Sequence, residues 1–203
     1  KIVGEDYKTK IKKFFHKNNK FKSIELNLID QIHKNKVKSS KPFFSLNNKI
    51  VGEDYKTKIK KISKYLNKNK SDFLFVTAPE NIAWLLNIRG HDNPNSPIPN
   101  CQLIINNKNS FYLITYKNKV SKLINEKKIK SDQAIEPKNF NKFISNLKGK
   151  KITIDKNTCS IFFENMLKKK FKILSVEDPI YSLKSLKNKT EIKNMLKAHI
   201  FDG

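Results

Sequence analysis

Arginine occurs once in the 203 residues, at Arg89, against 42 lysines, and glycine occurs only five times. No two of the glycines, at positions 4, 52, 90, 149 and 203, lie closer than 38 residues, which excludes a glycine-rich loop around a phosphate. The only two cysteines, Cys101 and Cys159, fit no metal-ligand spacing and read as buried free thiols, so a reducing cytoplasm is the expected location. No apolar run approaches the about 20 residues of a membrane span, and no signal peptide is read before Lys1, so no membrane partner is expected. No Ser or Cys stands in a nucleophile elbow. The four histidines, His16, His33, His91 and His199, show neither HxxxH nor HxxH spacing. His199 and Asp202 share a helical face and could meet a metal, but they read as capping and packing residues.

What is abundant is positive charge, +25 formally, with a pI near 9.9. Alone, that would point to nucleic acid or an anionic surface. The identity of the cations argues otherwise. Lys, Asn and Ile share A/T-rich codons, so drift in base composition accounts for Lys standing where Arg would serve equally. Readers of nucleic acid favour Arg, whose planar fork pairs with guanine edges and phosphates. The lysines therefore read as a solvated surface with no specific nucleic-acid partner. By the same reasoning Arg89 marks a place that needs its fork. Asp92, three residues on, is its expected bidentate partner. Trp84, the only Trp, is flanked by apolar residues and is expected in the core.

Hydrophobic periodicity predicts alternating helices and strands, hence an α/β fold with a mixed central sheet flanked by helices. Tyr7 to Lys20 reads as a helix, FKSIEL as a strand and NLIDQIH as a short helix. KNKVKSSKPFFSLNNK, with Pro42, reads as a polar connection at a domain boundary. From Glu53 a helix carries Ile59, Ile62, Tyr65 and Leu66 on one face and Lys on the other. FLFVT reads as a buried strand. PENIAWLLNI reads as a helix with Pro79 in its first turn, and RGHDNPNSPIPN as a loop. CQLIINNKNSFYLIT reads as two strands around an Asn-rich turn. Helices follow at Val120–Glu126, Asn139–Leu147, Ser160–Lys170 and Asp178–Leu186, with strands at KITID and FKILSV. A last helix is capped by Thr190 and carries Ile192, Met195 and Leu196 on one stripe.

Thirteen residues occur twice, KIVGEDYKTKIKK at Lys1–Lys13 and again at Lys49–Lys61. A structural repeat serving two environments would have diverged. Only the second copy has a fitting context, FSLNN before it and KISKYL after it. Lys49–Lys61 is therefore read as the original, and the first copy is expected to pack differently. The chain starts without Met and stops inside a helical pattern at AHIFDG, so it reads as a piece of a longer protein.

The segment AxENIAWLLNIRGHDNPNSP, Ala78 to Pro97, resembles the second domain of the Xaa-Pro aminopeptidases (aminopeptidase P) of the creatinase and prolidase superfamily. Asp178 to Gly203 resembles the family's link into its catalytic domain, and IDKNTCS, Ile154 to Ser160, also matches. NLIDQIH resembles the tail of the family's first domain, with His33 where Trp is usual. The resemblance implies a creatinase N-terminal-like fold in three parts. Residues 1–46 would be the tail of a first creatinase-like domain, with 1–13 a duplicated segment. Residues 47–187 would be the second such domain, and 188–203 the first helix of a catalytic pita-bread domain. It implies a noncatalytic scaffold and substrate-access portion of an enzyme that removes the N-terminal residue preceding proline. The whole enzyme would use two divalent metal ions, commonly manganese, with no metal, cofactor or catalytic residue in this chain. The implied partners are the catalytic domain of the same polypeptide, a second copy in a homodimer, and a peptide with proline at its second position. Arg89 and Asp92 become candidates for the domain interface or the mouth of the site. The alternatives are a noncatalytic protein-binding relative and a Lys-rich, nonspecific nucleic-acid-binding module. The last is the simplest to test. Retention on DNA is expected near ~50 mM salt and lost by ~200 mM, without sequence preference. Sequence-selective retention at physiological salt would promote that alternative.

Overall fold

The computed structural model describes residues 39–203 together with Ile32. The first copy of the repeat and the elements read before His33 lie outside these residues, apart from Ile32, which is helical and exposed. In chain order the elements are β1 (Phe44–Ser45), α1 (Asn48–Val51), α2 (Tyr55–Lys68), β2 (Phe73–Val76), α3 (Pro79–Leu86) and β3 (Ile88–Arg89). Then come β4 (Gln102–Asn106), β5 (Phe111–Ile114), α4 (Lys117–Asn125), β6 (Ala134–Ile135), α5 (Phe140–Asn146) and β7 (Lys151–Ile154). The last are α6 (Ile161–Lys168), β8 (Lys172–Ser175), α7 (Pro179–Ser185) and α8 (Lys189–Asp202).

Six strands form one mixed sheet in the order β6-β5-β4-β2-β7-β8. Its centre, β2, runs antiparallel to β4 and parallel to β7. All four residues of β2 are buried, because both faces of the sheet are covered. Side chains alternate across a strand, so Leu74 and Val76 join one core with Ile59, Ile62, Leu66, Leu103 and Leu113. Phe73 and Phe75 join the other with Ile104, Ile152, Ile154 and Phe140. On that side Phe75 lies 5.5 Å from Phe140 and 5.3 Å from Phe163, ring to ring. Each such aromatic or aliphatic side chain taken out of water contributes about 1.5–3 kcal/mol. The β4–β5 hairpin turns through Asn109 at φ 63°, a conformation Asn tolerates.

Helix α2 carries the second copy of the repeat into the first core. Its packing face continues past the repeated letters. Ser63 is buried with its hydroxyl donating to the Asn106 carbonyl at 2.9 Å, and Leu66 is fully buried. The expected stripe of Ile59, Ile62 and Leu66 is present, with Tyr65 packed at its edge. The opposite Lys face has one exception, Lys58, which is buried on the inner side.

Three strands went unread in the sequence, β1, β3 and β6, each two residues long and too short to show a period. The stretch read as a polar connection contains β1, paired antiparallel with β3, and the fully buried Phe43. The last helix is capped by Asn188 rather than Thr190. The Asn188 side chain accepts from the Glu191 N–H while Glu191 reaches back to the Asn188 N–H, a reciprocal capping box. Ile192, Met195 and Leu196 of α8 are all substantially exposed rather than packed.

Helix α8 is held against the repeat's second copy. Asn188 donates to the Val51 carbonyl and Asn194 to the Ile50 carbonyl, at 2.9 and 2.8 Å. Between α1 and α2 the chain turns through Gly52 at φ +74°, and a Cβ there would stand 2.4 Å from the Asn188 Oδ1. Gly52→Ala is therefore expected to lower stability by about 1–3 kcal/mol, read from a denaturant midpoint. An unchanged midpoint would mean that α8 is not seated on this turn.

Candidate functional site

Helix α3 ends at Leu86, and Asn87 then adopts a left-handed conformation with φ 52° before β3 begins. A helix end leaves carbonyl oxygens without intrahelical donors and carries partial negative charge. Three cations converge on it from three different elements. The Lys58 ammonium, from α2, donates to the Trp84 carbonyl at 2.9 Å and to the Asn87 Oδ1 at 2.8 Å. Arg89, from β3, places one nitrogen, Nη1, between the carbonyls of Ala83 at 3.1 Å and Ile88 at 2.9 Å. Lys128, after α4, donates to the Asn87 carbonyl at 3.0 Å. Burial pushes both lysines down to about 8, against nearby carboxylates that pull the other way. Burial likewise lowers Arg89.

Trp84 is not sealed in the core. It is half-buried, with Lys58 Nζ 3.9 Å from its ring centroid and its indole N–H donating to Glu191 Oε1 of α8 at 2.9 Å. Between α8 and the end of α3 lies an open cleft of about 370 Å³. Lys58, Trp84, Asn87 and Arg89 form its floor, and Ile50, Met195 and Ala198 are among its walls. Lys58 was the residue that sequence reasoning missed. The signal was present, since Lys58 falls on the same helical stripe as Tyr55 and Ile62.

The expected Arg89–Asp92 pair does not form. Asp92 instead makes an ion pair with Lys119 of α4, and both side chains are close to nine-tenths buried. Its second oxygen accepts from the Asn100 N–H at 2.7 Å, closing the loop on itself. Lys119 also donates to the Lys41 carbonyl at 3.2 Å and lies over the Phe43 ring. The cause of the mismatch is reach and supply. Helix α4 offers a cation directly to the loop, while Arg89 is drawn to the carbonyls at the end of α3. Asp92 is thus the tether of the loop, and Arg89 faces the cleft beside α8.

Both cysteines are buried and free, as expected. Burial raises the Cys101 thiol well above its ordinary range and pushes Cys159 up to about 12, so neither is poised as a nucleophile. Among the described residues no group of three or more His, Cys, Asp or Glu could hold a metal ion.

Residues 34–191 match the family model of the creatinase/prolidase N-terminal domain. Xaa-Pro aminopeptidase 1 of Dictyostelium discoideum is 31% identical over 144 residues, covering 66% of this chain and 21% of that protein. Among solved structures, the X-prolyl aminopeptidase of Caenorhabditis elegans, a cytosolic enzyme with a di-nuclear active site, superposes with a TM-score of 0.70 at 18% identity. That superposition covers 87% of this chain and 30% of the enzyme. The Xaa-Pro dipeptidase of Bacillus anthracis superposes at 0.54 and 15% identity, over 69% of this chain and 38% of its own. Both structural likenesses are likenesses of fold. The chain spans about a fifth of the length of the curated relative.

The reassigned pairing sets a measurable expectation. Asp92→Asn and Lys119→Met should be strongly non-additive in a double-mutant cycle, with about 1–3 kcal/mol of coupling. Asp92→Asn and Arg89→Gln should add. Coupling between Asp92 and Arg89 instead would restore the pair read from the sequence.

Proposed function

The chain belongs to the creatinase/prolidase N-terminal domain family, and from that premise we propose that it forms the noncatalytic, substrate-access portion of a metal-dependent Xaa-Pro aminopeptidase. Such an enzyme removes the N-terminal residue that precedes proline. The observation that carries the reading is α8. Most of this helix lies beyond the family match, and it leaves Leu196, Ile200 and Phe201 60%, 78% and 89% exposed. A fourteen-residue helix with that much apolar surface in water is one that further protein is built to cover.

In this reading residues 1–46 are the tail of a first domain, 47–187 the second creatinase-like domain, and 188–203 the opening helix of the catalytic domain. The apolar face of α8 is then the seam with that domain. The enzyme would carry two divalent ions, commonly manganese, whose chemistry is to activate water and polarise the scissile carbonyl. The described residues offer no ligand set for them, so no chemical step is assigned to this chain. Its residues position instead. Asp92 fixes the loop after β3 through Lys119, and Arg89 sits across the cleft from α8. These placements support the two as interface or site-mouth residues. A cytoplasmic location, a homodimer and a substrate with proline second complete the proposal. The two buried, free thiols and the likeness to a cytosolic enzyme support the location.

The purified 203-residue chain is expected to release no amino acid from an X-Pro peptide with manganese present, and the complete polypeptide to do so. Leu196→Glu should depress kcat/KM and the melting temperature of the complete polypeptide. In the 203-residue chain the same exposed substitution should change stability by less than about 0.5 kcal/mol. Metal-dependent activity in the short chain, or none in the complete one, would overturn the reading.

A further inference from the structure

Three cations line the cleft beside α8, Lys58, Arg89 and Lys187, and Lys187 donates to the Lys184 carbonyl. Neither Lys58 nor Arg89 takes part in an ion pair there. The acid in the cleft, Glu191, has both oxygens engaged, Oε1 by the Trp84 indole N–H and Oε2 by the Asn188 N–H. Lys58 directs two of its three N–H donors at the Trp84 carbonyl and the Asn87 side chain. The two hydrogen bonds of Arg89 both leave from Nη1, so Nε and Nη2 donate to nothing among the described residues. Among the described residues no fully buried side-chain nitrogen or oxygen lacks a partner, so Nε and Nη2 of Arg89 are not fully buried.

The Nε–Nη2 edge is a planar fork with two parallel donors, the geometry that takes both oxygens of a carboxylate. Around it the lining is mixed, with Ile50, Met195 and Ala198 beside the Trp84 ring and Asn194 and Lys187 among them. The volume, about 370 Å³, suits a molecule of several heavy atoms rather than a bare ion. We propose that this cleft binds a small organic carboxylate, its head on the free edge of Arg89 and its aliphatic body against Ile50, Trp84 and Met195. Lys58, held by two oxygens beside the Trp84 ring, adds a second positive charge to the site. The assignment also gives a reason for arginine here, since one nitrogen, Nη1, spans two carbonyls while the Nε–Nη2 edge is left for the ligand. A lysine could do only one of these.

Trp84 is the only Trp of the chain and lines the cleft, so its fluorescence reports occupancy directly. Hexanoate is the probe, titrated into the 203-residue chain at about 150 mM salt to screen the general positive charge. A saturable change in emission is expected with hexanoate and none with hexanol or hexylamine. Arg89→Gln should weaken the response about tenfold or more. Because that substitution also removes two carbonyl contacts, Met195→Glu serves as the second variant. Met195 is 46% exposed, so its replacement should leave the melting temperature unchanged, yet it places a negative charge at the rim and should weaken hexanoate to a similar degree. No saturable response, an equal response to hexanol, or a response that survives both substitutions would overturn the proposal. Competition by inorganic phosphate at equal concentration would overturn the assignment of an organic ligand.

Discussion

The carbonyl oxygens at the end of α3 share a single main-chain donor, the Asn87 N–H, and the fold around them is arranged by the side chains that supply the rest. The chain leaves α3 through a single left-handed residue, Asn87, and enters β3 at once, with no room for a longer cap. Side-chain cations then add to the left-handed Asn87 cap, whose N–H returns to the Ala83 and Trp84 carbonyls. Lys58 brings α2, Arg89 brings β3, and Lys128 brings the loop after α4. The same helix end reaches α8 through the Trp84–Glu191 bond. One polar junction therefore sets the relative positions of four elements, and the cleft is the space left between it and α8.

This arrangement separates two kinds of positive charge that composition merges. Most lysines of the described residues are exposed. Lys58 and Lys119 are buried, and each is held by specific oxygens, a carbonyl and an amide in one case and a carbonyl and a carboxylate in the other. A buried ammonium without such partners would be strongly unfavourable. The net charge of +25 thus describes the chain's exterior and says little about where charge organises the fold.

Much of the sheet was legible in the sequence because its strands announce themselves. FLFV is a continuous apolar run, and β4 and β5 flank an Asn-rich turn, features that depend only on near neighbours. The motif around Trp84 and the link into α8 carried the family resemblance, and the family match covers the motif and the link as far as residue 191. The site was less legible, for a physical reason. Asp92 finds Lys119 27 residues away and Lys58 finds Trp84 26 residues away, contacts decided by how elements stack. Arg89 drew notice by its rarity, yet its partners are backbone carbonyls, which every residue possesses and no sequence pattern marks. The cap of α8 was misplaced by two residues because Thr190 and Asn188 both have cap-forming side chains, and the contact of Asn188 with Val51 favours the latter.

The packing of α2 also bears on how the chain can go wrong while it folds. During synthesis the first copy of the repeat emerges before the second, carrying the same thirteen letters that later occupy α1 and the start of α2. If it took that place, the agreement would end where the repeat ends. Phe15 would fall on the buried site of Ser63, whose hydroxyl holds the Asn106 carbonyl, and Asn18 on the fully buried site of Leu66. An oversized ring there costs about 1–3 kcal/mol, and an unpaired amide in the core costs about as much again. Ser63 and Leu66 thus discriminate between two otherwise indistinguishable segments, and act as a proofreading step for register within a single chain.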